Sequence, residues 1–177
     1  MEEPEMPSFL SKPFSMESYV RSDHHRGIAT LEFFHPKGNC LPISILQQLT
    51  DRVKDAAYDE HVKVILLRSA GDKTFCSGAS FDELAAIKSE QEGLQFFSCF
   101  AHLINAMRTC PKFIVARIQG KCVGGGVGLA AVADYAIASI AADVRLSELT
   151  IGIGPFVVGP AVERKIGVAA FTELAMD

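Results

Sequence analysis

Four glycines stand close together where an apolar stretch gives way to helix-prone sequence. They are Gly124, Gly125, Gly126 and Gly128, and they come after the apolar stretch Phe113–Ile118. Glycine is required where the backbone approaches a neighbour closely or adopts angles that other residues avoid. The first N–H groups of a helix lack internal partners and carry partial positive charge. The pattern predicts a strand–glycine–helix bend, here called the glycine corner (residues 124–128), whose N–H groups face an anion or a polarised carbonyl.

The glycine corner matches neither of two familiar phosphate-binding patterns. The G-x-G-x-x-G dinucleotide fingerprint fails because the run from Gly124 to Gly128 is one residue short and Leu129 follows it. A P-loop is excluded because Cys122 follows the only Gly-Lys pair, where Ser or Thr is required. Tight packing of a helix on a strand also calls for glycines, so a purely structural role stays open.

A second segment, residues 75–80, repeats the order of strand, small residues and helix. Its sequence is Phe-Cys-Ser-Gly-Ala-Ser, and its bend is called the serine corner (residues 77–81). Two such corners can direct two N–H donors at one oxygen. That arrangement is an oxyanion hole, in which each donor is worth about 3–4 kcal/mol in acyl-transfer enzymes.

Glu148 is the candidate acid–base residue. It lies among apolar residues next to a Gly/Pro loop over residues 152–159. A carboxylate in such surroundings loses hydration and becomes a stronger base toward a carbon acid. The alternative roles are an exposed surface carboxylate and a helix-capping partner. The carboxylates of Asp82 and Glu83 open a predicted helix, where negative charge is favourable in any case.

The five histidines show no metal-like spacing and are expected to be non-catalytic; they are His24, His25, His35, His61 and His102. The five cysteines are scattered without a C-x-x-C pair, which predicts reduced thiols in a cytosolic protein. A nucleophilic Cys76 or Cys122 is the sharper alternative.

Composition bounds the function classes. The 177 residues suit one domain, and the net charge of −4 gives no electrostatic case for nucleic acid. No apolar run reaches the roughly 18 residues of a membrane span, so no membrane partner is expected. The acidic N-terminus is the reverse of a signal peptide.

Strand and helix patterns alternate, which predicts an α/β fold. We expect a loose arm over residues 1–14 and one core domain over 15–177. Within the core we expect a hairpin from 15–21 and 27–34 that turns at 22–25, and strands at 62–67, 113–118 and 135–139. Helices are expected at 43–58, 81–89, 93–108, from the glycine corner to 133, and at 168–176.

Taken together, the sequence resembles the crotonase superfamily, the enoyl-CoA hydratase/isomerase family. The similarity runs from about Gly27 to the end of the chain. It rests on residues 30–37 (TLEFFHPK), 75–80 (FCSGAS), 118–126 (IQGKCVGGG) and 133–135 (ADY), and on Glu148 with Gly152 and Pro155. These pieces occur in the family's order and spacing.

The resemblance implies a spiral of ββα units that binds an acyl-CoA. The thioester carbonyl would accept hydrogen bonds from the N–H groups of Ala79 and Gly125, which stabilises an enolate. Ser77, Phe81 and Gly124 would contact the CoA ester. The resemblance implies no metal and no redox cofactor, with CoA entering as part of the substrate, and a homotrimer or hexamer. The family's C-terminal helical part is expected to be missing.

Two departures from the family pattern bear on the reaction. The family's hydratases carry two glutamates; one position is Gly128 here and the other matches Glu148. A lone glutamate resembles the enoyl-CoA isomerases, in which it takes a proton from C2 and returns it at C4. Ser80 stands where Asp is common, and serine still caps a helix. The alternatives are an enoyl-CoA hydratase and a non-catalytic acyl-CoA-binding subunit.

Overall fold

The computed structural model describes residues 17–176, in which strands and helices alternate. The strands are β1 Tyr19–His25, β2 Ile28–Phe34, β3 Val64–Ser69, β4 Thr74–Cys76, β5 Phe113–Ile118, β6 Lys121–Val123, β7 Tyr135–Ala138 and β8 Val144–Arg145. The helices are α1 Ile43–Tyr58, α2 Phe81–Ala86, α3 Glu90–Arg108, α4 Gly125–Val132, α5 Gly159–Ile166 and α6 Val168–Met176, with a 3-10 helix at Leu149–Ile151. The α/β class is confirmed.

The strands form two sheets, and from β3 onward successive strands alternate between them. The larger sheet has the order β1-β2-β3-β5-β7 and the smaller one β4-β6-β8. Each strand of the smaller sheet directly follows a strand of the larger one, and all pairs except β1–β2 are parallel. In the first turn, an isolated bridge between Leu41 and Ala79 stands beside β4 in place of a further strand. Successive β-β-helix turns therefore form the spiral that the resemblance implied.

The core lies between the larger sheet and the helices. Helix α1 presents one apolar face at helical spacing, which the sequence predicted, and its buried apolar residues are Ile45, Leu46, Leu49, Val53 and Ala56. Strands β2, β3 and β5 alternate buried and less buried side chains. Phe33 of β2 meets Phe75 of β4 edge to face, with ring centroids 5.7 Å apart, so the core reaches the smaller sheet.

The predicted hairpin turn is wrong. Strand β1 continues to His25, and the turn falls at Arg26 and Gly27, which have φ angles of 47° and 82°. Glycine adopts such angles without strain, so the turn falls at the position where the chain has a glycine, Gly27. Helix α3 begins at Glu90 rather than at residue 93, because the Ser89 hydroxyl accepts a hydrogen bond from Glu92 N–H (3.2 Å) and caps it there.

Two strands and one α-helix escape the sequence prediction. Strands β6 and β8 have only three and two residues, too few to show a period. Helix α5 begins at Gly159 at the end of the predicted Gly/Pro loop, and Pro160 in its first turn suits a helix start. The predicted arm over residues 1–14 lies outside the described residues.

The last strand of the larger sheet, β7, is exposed at all four residues. Among the helices of residues 17–176, none combines the length and the apolar character that crossing a bilayer requires.

Candidate active site

The two corners are neighbours in the structure. Gly124 and Gly78 have φ angles of 51° and 92°, in the region that favours glycine. A Cβ atom built on Gly78 would lie 3.1 Å from the Val123 carbonyl oxygen and 3.5 Å from the Gly125 nitrogen. The backbone of the serine corner therefore passes directly beside the start of α4.

Hydrogen bonds hold the serine corner. Leu41 N–H donates to the Gly78 carbonyl (2.8 Å), and Ser80 N–H donates to the Leu41 carbonyl (3.3 Å). The Ser80 hydroxyl accepts from Glu83 N–H (3.4 Å) and caps α2, as predicted. Between these contacts, Ala79 N–H has no acceptor among the described residues. It is an available donor.

Close packing holds the glycine corner. Cβ atoms built on Gly125 and Gly126 would lie 2.5 Å from Phe100 Cε1 and 2.6 Å from Cys76 Cβ. These glycines therefore do have the structural role of allowing close packing, which the sequence left open. It coexists with a donor, because Gly125 is the first residue of α4 and its N–H has no acceptor within the described part of the chain.

Glu148 lies beside this donor. A Cβ atom built on Gly124 would lie 3.2 Å from Glu148 Oε1. Oε2 is buried and has no hydrogen-bond partner in the described residues, and the side chain caps no helix. Burial raises the pKa of the Glu148 carboxyl above its usual range, against the opposing effect of the backbone N–H groups of Glu148 and Ser147. The side chain is half-buried, so the exposed-surface alternative does not hold.

One cavity of about 190 Å³ brings together all six residues that the sequence singled out: Ser77, Ala79, Phe81, Gly124, Gly125 and Glu148. Its other walls are mainly apolar: Leu84, Phe96, Phe97, Phe100, Ile151, Ile153, Pro155, Val157 and Val158. Glu148 is the only titratable side chain among the described residues that line it.

The aromatic wall of the cavity and Val158 were not predicted from the sequence. Phe96, Phe97 and Phe100 follow one another on a face of α3, and the ring centroids of Phe96 lie 5.2 Å from Phe97 and 6.0 Å from Phe100. Their spacing is a helical signal that could have found them. Val158 ends an irregular loop and carries no such signal.

The buried cysteines are unsuited to nucleophilic catalysis. Cys76 and Cys122 stand opposite each other in the pair β4–β6 and are fully buried free thiols. Burial raises the pKa of the Cys122 thiol to about 12, and that of Cys76 is raised as well, so both stay protonated at neutral pH. The nucleophile alternative is not supported.

The spiral of ββα turns, with two backbone corners and one carboxyl at a shared cavity, defines a protein of the crotonase class. The family model described as enoyl-CoA hydratase/isomerase matches residues 23–177, and the chain belongs to this family.

Related proteins carry out more than one reaction. The chain is 32% identical over 154 residues to the mitochondrial methylglutaconyl-CoA hydratase of Rattus norvegicus, covering 86% of this chain and 49% of that protein. It is 31% identical over 148 residues to the mitochondrial 3-hydroxyisobutyryl-CoA hydrolase of Mus musculus, covering 80% and 38%. A crystal structure of an enoyl-CoA hydratase/isomerase from Legionella pneumophila superposes with a TM-score of 0.85 at 31% identity, covering 90% and 62%. The chain spans about half of the length of these relatives.

Proposed function

We propose that this chain binds an acyl-CoA thioester and moves the double bond of an enoyl-CoA. The observation that carries the proposal is the Glu148 carboxyl, which faces the cavity beside Gly124 and has an unpartnered Oε2. An acid in that place, next to two available backbone donors, suits proton abstraction from the carbon adjacent to a polarised carbonyl.

In this proposal, backbone N–H groups bind the thioester carbonyl of the substrate. The thioester oxygen would accept hydrogen bonds from the N–H groups of Ala79 and Gly125, both of which line the cavity. Negative charge grows on that oxygen as C2 loses its proton, so each donor stabilises the transition state by about 3–4 kcal/mol. Ser77, Phe81 and Gly124 would contact the CoA ester, which enters as substrate and not as a separate cofactor.

The proton would travel through Glu148. Its carboxylate takes a proton from C2, and the electron pair of the C–H bond spreads over C2, the carbonyl oxygen and the former double bond. The same carboxyl returns the proton at C4, which leaves the double bond between C2 and C3. Burial raises the pKa of Glu148, which brings the carboxylate closer in basicity to its task.

The second acid position favours isomerisation over hydration. Position 128, where the family's hydratases have a glutamate, is a buried glycine. A Cβ atom built there would lie 2.6 Å from Val158 Cγ1 and 2.8 Å from Val158 Cβ. Val158 fills the space that a second carboxylate would need, and one acid alone is poorly suited to position and activate water.

The apolar walls favour a neutral hydrocarbon acyl chain. A buried carboxylate on the acyl group would find no cationic partner among the described residues of the cavity. We further propose a homotrimer or hexamer, as the resemblance implies, and a cytoplasmic location, which the scattered cysteines predict.

The proposal is tested by offering the protein a 3-enoyl-CoA and a 2-enoyl-CoA, separating the products by chromatography, and following each by mass and by the absorption of the conjugated thioester. We expect conversion of the 3-enoyl ester without a mass change, because the proton is only relocated. Glu148→Gln should lower this turnover by about 10²–10⁴-fold while leaving binding of the ester largely intact. Glu60→Gln, at an exposed position away from the cavity, is the matched control.

Other outcomes would select other functions. Addition of water to the 2-enoyl ester would replace the isomerase proposal with a hydratase. Unchanged turnover in Glu148→Gln would remove Glu148 from the mechanism. Binding without any turnover in the parent protein would identify an acyl-CoA-binding subunit.

A further inference from the structure

Two side-chain amides from neighbouring turns of the spiral converge on one backbone carbonyl. Asn39 Nδ2 donates to the Thr74 carbonyl at 2.8 Å, and Gln119 Nε2 donates to the same oxygen at 3.2 Å. Thr74 is the first residue of β4, which leads into the serine corner. The proposed oxyanion hole does not use either amide.

Asn39 is built into the first turn. It is 4% exposed and has a φ of 54°, and its Oδ1 accepts from His35 N–H at 3.0 Å. Its Nδ2 also donates to the Ala70 carbonyl at 2.9 Å. All of its amide contacts are with backbone atoms, so the side chain fixes the path of the 35–41 segment against the connection between β3 and β4.

Gln119 makes the corresponding contact from the following turn. It lies between β5 and β6, and its Nε2 also donates to Ser69 Oγ at 2.9 Å. Beside it, Lys121 N–H donates to the Lys73 carbonyl at 3.0 Å. A Cβ atom built on Gly120 would lie 2.1 Å from that carbonyl oxygen, so the two connections run in direct contact.

Each segment joined at Thr74 continues into one of the corners. The Asn39 segment reaches Leu41, whose backbone brackets Gly78 and Ser80 on either side of Ala79. The Gln119 segment continues through β6 to Gly125. The Thr74 carbonyl thus links the segment that holds the Ala79 donor to the segment that leads to the Gly125 donor, because both amides bind it.

We propose that Asn39 and Gln119 are positioning residues that set the spacing between the N–H donors of Ala79 and Gly125. This inference rests on the proposed function, because the spacing matters only if both donors bind one thioester oxygen. Removing an amide keeps both N–H donors, but the two corners can then shift relative to each other. A displacement of about 1 Å in a reacting geometry can cost on the order of 100-fold in rate.

The test compares Gln119→Met and Asn39→Asp with the parent protein. Gln119→Met keeps the length of the side chain and removes its donors, and Asn39→Asp keeps the acceptor for His35 N–H. The probe is a conjugated aryl-enoyl-CoA, whose absorption moves to longer wavelength when its carbonyl is polarised. We expect a smaller shift in both variants and a kcat for the 3-enoyl-CoA lower by about 10-fold to 100-fold. KM should change by less than about threefold, because the loss falls on the transition state.

Two controls separate positioning from general stability. Val53→Ala removes buried side-chain volume where α1 packs on the core, so it should lower the melting temperature while leaving the probe's shift unchanged. Gln48→Met removes an exposed amide that bonds only the Ser44 carbonyl in its own helix, and it should change neither.

Each result decides between the two proposals. A parent protein that binds the probe without any shift would overturn the proposed oxyanion hole itself. A full shift and full kcat in either folded variant would overturn the positioning role while the hole stands. If neither variant folds although Val53→Ala does, the amides are structural and the inference is likewise wrong.

Discussion

The two corners perform the same proposed task and are held in different ways. At the serine corner, contacts from a distant segment brace the backbone, as when Leu41 N–H binds the Gly78 carbonyl at 2.8 Å. At the glycine corner, the backbone is wedged against side chains, with no space for a Cβ atom at Gly125 or Gly126. The Ala79 donor is placed mainly by hydrogen bonds, and the Gly125 donor is placed mainly by the absence of side chains.

This difference predicts different tolerance to substitution. A hydrogen-bonded bend keeps its shape when an exposed side chain changes, since its bonds join backbone atoms. A bend that depends on close approach loses its shape when any side chain is added. Four changes test this contrast, from the largest expected effect to the smallest.

Gly126→Ala should have the largest effect. The new Cβ would lie 2.6 Å from Cys76 Cβ and 2.9 Å from the Cys76 carbonyl oxygen. It would therefore push α4 away from β4, against which this glycine packs. We expect a loss of about 3 kcal/mol in the free energy of unfolding, measured by urea denaturation. The control is Gly93→Ala in α3, where the nearest atom would be Ile87 Cγ2 at 3.7 Å and helix propensity should increase stability. Equal effects of the two changes would contradict the contrast.

The second test is the pH dependence that Glu148 should confer, since its carboxyl lies beside the glycine corner. Burial raises the pKa of its carboxyl, and the base must be ionised, so kcat/KM should fall about tenfold per pH unit below that raised pKa and level off above it. The folded protein also holds the proton more tightly than the unfolded chain. Stability should therefore decrease as the pH rises from the usual carboxyl pKa through the raised one.

These two profiles are measured by steady-state rates and by urea unfolding, with Glu148→Gln as the reference that lacks the titration. A rate that is already constant at pH values near the usual carboxyl pKa would show that burial does not act on this group.

Ser80→Ala should have an intermediate effect on the serine corner. The hydroxyl caps α2 through Glu83 N–H, and loss of such a cap costs about 1 kcal/mol. Thermal unfolding measures the loss, and Ser89→Ala removes the equivalent cap of α3 for comparison. A much larger loss at Ser80 than at Ser89 would mean that the serine corner also depends on close packing.

Ser77→Ala should have the smallest effect. The side chain is exposed and donates one hydrogen bond, to the Lys37 carbonyl at 3.2 Å, while Ser77 N–H still binds the Gly38 carbonyl. We expect a change within about 0.5 kcal/mol in stability. Calorimetric titration with a CoA ester should show nearly unchanged affinity, because the proposed contact of this loop with the ester is made largely by backbone groups. A large loss would mean that the hydroxyl itself binds the ester.

The serine and glycine corners were predictable because their signals are local. Glycine at 124 and 125 and small residues around Ala79 mark backbone that must bend, and the period of Ile45, Leu46 and Leu49 marks α1. The approach of Glu148 to the glycine corner came from the family resemblance and from its apolar neighbours. The cavity in which these residues meet follows from the spiral.

The unpredicted features depend on contacts between distant parts of the chain. Strands β6 and β8 are too short for periodicity and form because the preceding turn offers a parallel neighbour. The contact of Val158 with Gly128 and the convergence of Asn39 and Gln119 on Thr74 join residues far apart in sequence. Such contacts appear only when the turns are stacked.

Both proposed donors are main-chain amides, and this has a consequence for how the reaction can change. Every residue type except proline carries that hydrogen, so ordinary point mutations at Ala79 leave the donor itself in place. In the proposed mechanism, carbonyl activation would therefore be a property of the fold, whereas the fate of the activated substrate would depend on exchangeable side chains such as Glu148. A lineage built on this scaffold can acquire a new reaction by altering one acid, without having to reinvent the chemistry that makes the carbon acidic.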